Sequence, residues 1–474
     1  MGFKTKKINN NVWSIKKSIL FFAGFLSIAF ICFLGISIVK NIKDLNFNFN
    51  LGNVLSGFKF NLLTDNNESD KIKILLIGRG GENHSGGELT DSIILASIDL
   101  DKKVISMLSI PRDLYVKYGD SRYGKINGVY AYYLGIEKNE ASAMDYLKNK
   151  VSQITGEKID YYVNIDFSGF QQVVDLLGGV VITVPNNFAD YAYPTKNGGY
   201  TTFILKKGTW TIDGETALKY ARSRHSTSDF DRSLRQQQIL SAIKTKMISE
   251  SYLKNPVKIR KMYNAISPYF TTDIGINGIL KIASEIKDFS GSGSSDLISL
   301  NLNNSCVYGA YSCNVGGILY TPPMENFGGA SVLLPRGATN YVVEKYGEIQ
   351  RFANVIFNYP KVFTDKQEIN IFNSQPVANQ ALYLANDLQQ FGFNIPAKDS
   401  VGNTAGENYE LTTILYNNLG KDTETLDALK LFVKGKYQEV KTPRYSKNPN
   451  TKIEIIIGKD LKEVTDFNGE DSVK

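Results

Sequence analysis

The stretch IDYYVNIDFSGFQQVVDLLGGVVITVP, residues 159–185, contains a strand, a helix and a second strand in immediate succession. IDYYVNI is rich in strand-forming residues, FSGFQQVVDLLGG has the apolar spacing of an amphipathic helix, and VVITVP is again strand-like. Strands that alternate with amphipathic helices predict an α/β fold, in which helices pack on the faces of a sheet.

Three apolar runs that precede this stretch have the length of buried strands: KIKILLIG (71–78), DSIILASID (91–99) and KKVISMLSI (102–110). Residues 185–210, by contrast, are predicted to be mainly loops. We therefore predict a layered α/β/α domain with a central mixed sheet over residues 71–355.

A second, smaller α/β domain is predicted over residues 366–462. Strand-like and helix-like segments alternate there, from EINIFNSQP (368–376) to KIEIIIGKDL (452–461). The polar tail, residues 463–474, is predicted to be disordered.

The N-terminal segment predicts a membrane anchor. Residues 19–39, ILFFAGFLSIAFICFLGISIV, carry no charge and are long enough for a helix to span a bilayer. A cleaved signal peptide is the alternative, but its apolar region would be shorter, and no small-residue cleavage site follows. Lysines in the basic tail, residues 1–18, favour a cytoplasmic N-terminus, so the protein is predicted to be single-pass type II with its bulk extracytoplasmic. Residues 40–70 are polar and rich in asparagine, and they predict a stalk.

The charge distribution argues against general nucleic-acid binding. The net charge is +7, but the five lysines of residues 1–18 leave only +2 for the remainder. A nearly neutral bulk does not provide the broad basic surface that phosphate backbones require.

The cysteines leave two possibilities open. Cys32 falls in the predicted membrane helix, whereas Cys306 and Cys313 frame a short extracytoplasmic segment. An oxidising compartment permits a disulfide between that pair, and two free thiols are the alternative.

Arginine is concentrated at one place, the segment ARSRHSTSDFDRSLRQQQ (221–238). It contains four of the 11 arginines in a chain whose positive charge is otherwise supplied by lysine. The planar guanidinium binds phosphate or carboxylate through paired hydrogen bonds, so this concentration predicts an oxyanion site. The alternative is an ion-paired helix with Asp229 and Asp231 as partners.

Helical spacing divides this cluster into two parts. A helix predicted from about Asp231 to Ser249 places Arg232, Arg235 and Gln238 on one face. Arg222 and Arg224 precede that helix, where the backbone dipole also favours an anion.

Two further segments offer anion contacts. In IPRD (110–113), Arg112 and Asp113 follow the end of an apolar strand, where open α/β sheets place their ligands, although a simple turn with an Arg–Asp pair is the alternative. In GKINGVYAY (124–132), Lys125 and Asn127 could contact an anion, although on its own this segment is more typical of a surface loop.

The loop GRGGENHSGGELTD (78–91) fits neither a Walker motif nor a dinucleotide fingerprint. It contains Glu82, His84 and Asp91, which could present ligands to a divalent cation. Magnesium binds a few carboxylates together with substrate phosphate oxygens, so Mg²⁺ is the predicted cofactor. A flexible hairpin without a metal is the alternative.

Taken together, IPRD, GKINGVYAY, residues 159–185 and the arginine segment resemble, in order and spacing, the LytR-CpsA-Psr (LCP) family of bacterial cell-envelope proteins. The resemblance covers about residues 71–355, and residues 368–461 look like the LytR C-terminal domain. It implies a phosphotransferase that moves a glycopolymer from an undecaprenyl-pyrophosphate carrier to peptidoglycan. Its partners would be the lipid-linked glycan, peptidoglycan and membrane lipid, with no nucleic acid.

The resemblance also implies roles for individual residues. It assigns the pyrophosphate clamp to Arg112, Arg222 and Arg224. It assigns supporting roles to Arg232, Arg235 and Gln238 and a peripheral anion contact to Lys125. From the residues themselves, Asp113 and Asn127 are also predicted to contact the substrate. It assigns the magnesium ion to Asp91, and it implies an apolar slot for the prenyl tail.

Two positions depart from the family pattern, because Gly80 stands where an aspartate is usual and Leu89 where an arginine is usual. We therefore expect Glu82 or His84 to replace the missing metal ligand. The departures also leave two other functions open: a binding or regulatory module that has lost catalysis, and a pyrophosphatase that releases the carrier-linked sugar to water.

Overall fold

The computed structural model describes residues 71–461 except 82–83, 85, 196–198, 224–228, 250–264, 275–296, 306–313, 397–399, 405, 418–423 and 449–450. The predicted basic tail, membrane helix and stalk, the Cys306–Cys313 segment and the C-terminal tail lie outside the described residues. Within the described ranges, none of the helices is long and apolar enough to cross a membrane.

Up to residue 365 the strands are β1 (Lys71–Arg79), β2 (Thr90–Asp99), β3 (Val104–Ile110), β4 (Tyr115–Tyr118), β5 (Arg122–Lys125), β6 (Tyr161–Asp166), β7 (Val180–Val184), β8 (Phe188–Pro194), β9 (Tyr200–Leu205), β10 (Gly208–Ile212), β11 (Phe270–Thr272), β12 (Leu297–Asn301), β13 (Leu319–Tyr320) and β14 (Leu334–Pro335). The helices are α1 (Gly128–Glu137), α2 (Glu140–Thr155), α3 (Phe167–Leu176), α4 (Gly214–Arg222), α5 (Asp229–Ser249), α6 (Gly347–Asn358) and α7 (Lys361–Thr364).

The central sheet has six strands in the order β11-β6-β1-β2-β3-β12. β1 and β6 run parallel, whereas β11 pairs antiparallel with β6, so the sheet is mixed. The predicted α/β fold with a central mixed sheet is therefore confirmed. Strand β3 is buried at all of its positions, including Ser106 and Ser109, which explains why its sequence does not alternate.

The described residues divide into two compact units, of which the first comprises those within 71–91, 96–105 and 160–297. Its helices α3, α4 and α5 share one apolar core with the strand β7, and Val174, Ala217 and Ile239 are fully buried there. Helix α4 begins at Asp213, whose carboxylate accepts a hydrogen bond from the Thr216 amide at 2.8 Å. Its last residue is Arg222, so the core fixes the position of that arginine's backbone.

The second unit comprises the described residues within 92–95, 106–159 and 298–461. In it, the hairpin β4–β5 leads into the helix pair α1 and α2. Asn139 caps α2 by accepting a hydrogen bond from the Ser142 amide at 3.0 Å, and Gly156 ends the helix in a left-handed conformation.

The C-terminal part of the second unit contains a separate sheet. Its elements are β15 (Ile369–Asn373), α8 (Gln380–Gln390), β16 (Val401–Asn403), β17 (Thr413–Tyr416), α9 (Glu424–Leu429), β18 (Lys436–Glu439) and β19 (Ile453–Ile457). The five strands have the order β16-β15-β19-β17-β18 and are also mixed, because β17 pairs antiparallel with β19 and parallel with β18. This is the predicted small α/β arrangement with two strands, β16 and β18, that the sequence pattern did not reveal.

Two local predictions were wrong. Residues 185–210 are not mainly loops, because β8 and β9 form a hairpin and β10 begins at Gly208 and pairs with β7. Exposed two-stranded ribbons carry little apolar periodicity, so their sequences look like loops. GKINGVYAY is not a surface loop either, since Lys125 ends β5 and the buried Asn127 immediately precedes α1.

Candidate functional site

The carboxyl ends of two parallel strands meet in the first unit. Arg79, the last residue of β1, lies opposite Asp166, the last residue of β6. Asp166 caps α3 by accepting a hydrogen bond from the Gly169 amide at 2.8 Å. Ligands of open α/β sheets bind at this edge, and a helix that begins there adds backbone donors for an anion.

The loop after β1 fits closely against this edge. Gly81 has a positive φ of 84°, and a Cβ at this position would lie 2.8 Å from a carboxylate oxygen of Asp166. Glycine is therefore required both for the backbone conformation and for the close approach. One terminal nitrogen of Arg79 donates to both carboxylate oxygens of Glu88, at 3.0 and 3.1 Å, and holds the two ends of the loop together.

A cavity of about 490 Å³ opens at this edge. It is lined by the end of β1, the first turn of α3, the hairpin β8–β9 and the last turns of α4. Its lining includes the side chains of Arg79, His84, Asp166, Phe167, Tyr193, Lys219 and Arg222.

Arg222 reaches into the cavity from the end of α4. Its guanidinium lies over the Phe167 ring, with 4.3 Å from the guanidinium carbon to the ring centroid. One terminal nitrogen donates to the Tyr193 hydroxyl at 3.2 Å, and the other lies 2.8 Å from Nε2 of His84. Three neighbours therefore fix the plane of the guanidinium within the cavity.

The cations of this cavity differ in their partners. Arg79 is paired with Glu88, and Lys219 is paired with Glu215 at 2.7 Å. Among the residues that the structure describes, Arg222 contacts only neutral groups. A partly buried charge favours a counter-charge, so Arg222 is the group through which this cavity would bind an anion.

Tyr193 completes the wall beside Arg222. Burial raises the pKa of its hydroxyl above the ordinary value, and the nearby Arg222 charge opposes part of that rise. The hydroxyl is therefore neutral at physiological pH and can accept from the guanidinium while donating elsewhere.

Arg235 has a different role from Arg222. It is only 6% exposed, and its Nε donates to the Tyr220 carbonyl at 2.8 Å. A terminal nitrogen donates to the Ser223 carbonyl, and the guanidinium lies 4.8 Å from the Phe188 ring centroid. Both carbonyls flank Arg222 in the chain, so Arg235 positions the end of α4.

The other members of the arginine cluster lie nearby in the chain. Arg232 is buried on α5, one helical turn before Arg235. Gln238 accepts from the Tyr220 hydroxyl at 3.1 Å and donates to the Thr183 carbonyl, which ties α5 to α4 and β7. Arg224 and the side chains of Asp229 and Asp231 lie outside the described residues, so the alternative of an ion-paired helix stays open.

A second group of predicted residues comes together in the second unit. Lys125 donates to the Asp113 carboxylate at 2.6 Å, and Nε of Arg112 lies 3.5 Å from the same carboxylate. The backbone N–H of Asn127 donates to the backbone carbonyl of Arg112 at 3.3 Å. IPRD and GKIN thus form one polar cluster, and the pairing of Arg112 with Asp113 agrees with the simpler of the two predictions for that turn.

The predicted metal ligands are only partly brought together. In the described part of the chain, no group of three or more histidine, cysteine, aspartate or glutamate side chains could hold a metal ion. Nε2 of His84 accepts from Arg222, because a guanidinium only donates, so a metal ion could bind this side chain only through Nδ1. Glu82 lies outside the described residues, whereas Asp91 stands in β2. One carboxylate of this kind is compatible with a magnesium ion that substrate phosphates help to bind.

The departure at Gly80 has a steric counterpart. A Cβ at position 80 would lie 3.0 Å from the His84 Cβ and 3.1 Å from the Gly87 backbone. A side chain at this position would therefore require His84 or the Gly87 backbone to shift by a few tenths of an ångström.

Sequence reasoning missed several residues of the cavity, namely Arg79, Asp166, Phe167, Tyr193 and Lys219. Two of them had a usable signal, since Arg79 and Asp166 end apolar strands just as Arg112 follows one. Tyr193 had none, because it lies in the hairpin that the sequence did not predict.

Comparisons with known sequences identify two matching families. The family model described as the LytR_cpsA_psr family matches residues 48–317. A second, described as LytR cell envelope-related transcriptional attenuator, matches residues 366–461.

Individual relatives match the first of these regions. The polyisoprenyl-teichoic acid–peptidoglycan teichoic acid transferase TagT of Bacillus subtilis is 33% identical over 186 residues, which are 38% of this chain and 54% of TagT. The regulatory protein MsrR of Staphylococcus aureus is 31% identical over 250 residues, which are 52% of this chain and 69% of MsrR. The chain thus spans about half of TagT and about two thirds of MsrR. The crystal structure of B. subtilis TagV is 27% identical, with coverage of 62% of this chain and 99% of that chain and a TM-score of 0.43.

The positioning role of Arg235 predicts a loss of stability on substitution. Arg235→Met should lower the free energy of unfolding by about 3 kcal/mol, because two carbonyls lose charged donors in a buried setting. Urea unfolding of the full chain can be followed by tryptophan fluorescence, since Trp210 lies in the same unit. The matched control is Arg444→Met, whose side chain is 54% exposed. Equal midpoints for the two variants would contradict the assignment.

Proposed function

Because this chain belongs to the LytR-CpsA-Psr family, we propose that it is a membrane-anchored phosphotransferase that moves a glycopolymer from undecaprenyl pyrophosphate to peptidoglycan. The observation that carries the proposal is Arg222, a partly buried guanidinium whose described partners are all neutral. The name of the relative TagT, a polyisoprenyl-teichoic acid–peptidoglycan transferase, supports the choice of donor and acceptor.

The reaction exchanges one phosphorus–oxygen bond for another. A hydroxyl of peptidoglycan attacks the phosphorus that carries the glycan, and the bond from that phosphorus to the bridging oxygen breaks. The proton of the hydroxyl passes to solvent or to the departing lipid monophosphate, and the glycan ends in a phosphodiester. Positioning and stabilisation of charge on the phosphoryl oxygens are the main tasks of the protein in such a reaction.

Arg222 is suited to both tasks. Its terminal nitrogens can form paired hydrogen bonds with oxygens of the pyrophosphate, and Phe167 and Tyr193 keep its plane fixed. Arg235 holds the backbone on either side of Arg222. We propose that Arg224, the next basic residue in the chain, adds a second guanidinium to this contact.

The residues of the second unit are proposed to provide further substrate contacts. The side chains of Arg112 and Lys125 both lie close to the carboxylate of Asp113, so two cations are held near one another. Such a cluster can bind an additional phosphate oxygen, with Asn127 holding the backbone at Arg112.

Magnesium is proposed as the cofactor, with Asp91 and the pyrophosphate oxygens as ligands and Glu82 as a further candidate. When bound, the ion would neutralise charge on the pyrophosphate and so favour departure of the lipid phosphate. Membrane anchoring through residues 19–39, with the bulk extracytoplasmic, is proposed on the charge pattern of the N-terminal segment.

A regulatory function is the second candidate, because the relative MsrR is named a regulatory protein. In that case the cavity would bind the lipid pyrophosphate without turning it over. A pyrophosphatase is the third, and it differs only in that water replaces the peptidoglycan hydroxyl.

Substitution of Arg222 tests the proposed reaction. The full chain in detergent is incubated with a lipid-pyrophosphoryl glycan, Mg²⁺ and peptidoglycan oligomers, and products are identified by mass spectrometry. Arg222→Ala should lower kcat/KM for linked product by roughly 10²- to 10³-fold, the effect of removing one donor to a developing oxyanion. Arg444→Ala, a change at an exposed arginine, should have no effect.

The products distinguish the three functions. Linked glycan–peptidoglycan supports the transferase, free sugar phosphate supports the hydrolase, and binding without turnover supports the regulatory module. If Arg222→Ala leaves both binding and turnover intact, the site is wrongly assigned.

The metal requirement is tested separately. Asp91→Asn should raise the Mg²⁺ concentration for half-maximal transfer by roughly ten- to a hundredfold, the range seen when partners in a metal site are removed. Asp120→Asn, at the exposed turn between β4 and β5, is the matched control. Transfer that persists in excess chelator would exclude the magnesium proposal while leaving the arginine site untouched.

A further inference from the structure

A surface cleft of about 340 Å³ in the second unit has no role in the function proposed above. It is formed by the end of β4 and by the helices α1 and α2, and its lining is unusually rich in tyrosine and side-chain amides. The groups that matter are Tyr118, Tyr133, Tyr146, Asn149, Gln153 and Glu344.

The aromatic side of the cleft is ordered. The rings of Tyr133 and Tyr146 stack at 3.6 Å between centroids and are parallel within 2°. The Tyr133 hydroxyl accepts a hydrogen bond from the Gly119 amide at 2.9 Å, which fixes the pair against the turn after β4. Tyr146 is nevertheless 39% exposed, so this stack presents an aromatic surface to solvent instead of filling a core.

The polar side of the cleft is a hydrogen-bonded group on α2. Lys150 and Gln153 both donate to the Glu344 carboxylate, at 3.1 and 3.2 Å. Asn149 is exposed on the neighbouring position of the helix. Glu344 is the only carboxylate among the described lining residues, and it pairs with Lys150. The second lysine of the cleft, Lys117, therefore has no carboxylate partner within the lining.

This combination matches the chemistry of a sugar chain. The C–H face of a pyranose packs on an aromatic ring, while hydroxyl and acetamido groups need both donors and acceptors at the edge of the site. Among the described lining residues there is no arginine, the residue that a phosphate-rich polymer would favour. The cleft therefore suits an amino-sugar chain that carries occasional carboxylates, with which Lys117 can pair, better than a polymer with a phosphate on every unit.

We propose that this cleft binds the glycan strand of the peptidoglycan acceptor. The identity of the ligand as the acceptor rests on the proposed transferase function. Tyr146 supplies the stacking surface, and Asn149 and Gln153 supply hydrogen bonds to the sugar edges.

Binding is measured by calorimetry with the full chain in detergent. The probes are peptidoglycan glycan chains freed of their stem peptides, a short phosphate-containing glycopolymer as a donor-like ligand, and cellohexaose. Tyr146→Ala should weaken binding of the peptidoglycan glycan about tenfold, the effect of losing one aromatic contact. Asn149→Ala should weaken it roughly fivefold, the effect of one hydrogen bond.

Controls separate the cleft from general effects. Tyr341→Ala removes a tyrosine that is 86% exposed and does not line the cleft, so it should leave binding unchanged. Asn149 is exposed, so Asn149→Ala tests the proposal even if loss of the Tyr133–Tyr146 stack impairs folding. Wild-type affinity in both cleft variants would overturn the proposal, and so would equal or stronger binding of cellohexaose or of the donor-like polymer.

The outcome is distinguishable from failure of the transferase proposal. Arg222→Ala should bind the peptidoglycan glycan normally while losing transfer. Glycan binding that depends on Tyr146 in a protein without transferase activity would support the cleft as a glycan-binding site. Its role would then be attachment to the wall instead of binding of the acceptor. Normal transfer with unaltered glycan binding in the cleft variants would overturn the cleft alone.

Discussion

The interaction on which the candidate site depends is the buried contact of Arg235 with the backbone at the end of α4. Its guanidinium donates to the carbonyls of Tyr220 and Ser223, on either side of Arg222 in the chain. The first of these carbonyls lies in the last turn of α4, and the second belongs to the residue that follows the helix. Backbone acceptors at this end of a helix lack intrahelical partners. A buried cation at that end also complements the helix dipole. The same interaction therefore terminates α4 and aims Arg222 into the cavity.

The two arginines illustrate how one residue type serves structure and ligand binding in the same cluster. Arg235 is buried, donates to two backbone carbonyls and lies against an aromatic ring. It therefore keeps these partners when a ligand enters the cavity. Arg222 has neutral partners that an oxyanion can outcompete, because hydrogen bonds between charged groups are about twice as strong as neutral ones. The strand ends at Arg79 and Asp166 and the first turn of α3 form the edge of the cavity where a ligand would replace these partners.

The alternation of strands and helices was predictable because buried parallel strands and amphipathic helices leave strong apolar patterns, as in residues 159–185. The hairpin β8–β9, the edge strand β18 and helix α1 were not, since exposed ribbons and a tyrosine-rich helix leave weak ones. The arginine cluster was found from composition, but spacing could not show that Arg235 faces carbonyls while Arg222 faces a cavity. Nor could it show that Nε2 of His84, 138 residues earlier in the chain, accepts a hydrogen bond from Arg222.

If the cavity around Arg222 binds a lipid-linked pyrophosphate, lipids of this class should copurify with the full-length protein from a wall-synthesising bacterium. Mass spectrometry of the copurified lipids checks this, with Arg222→Glu prepared in parallel. We expect polyprenyl phosphate or pyrophosphate species, with or without glycan, in the wild-type protein and their loss from the variant. Equal amounts of such lipids in both preparations, or their absence from the wild-type protein, would contradict it.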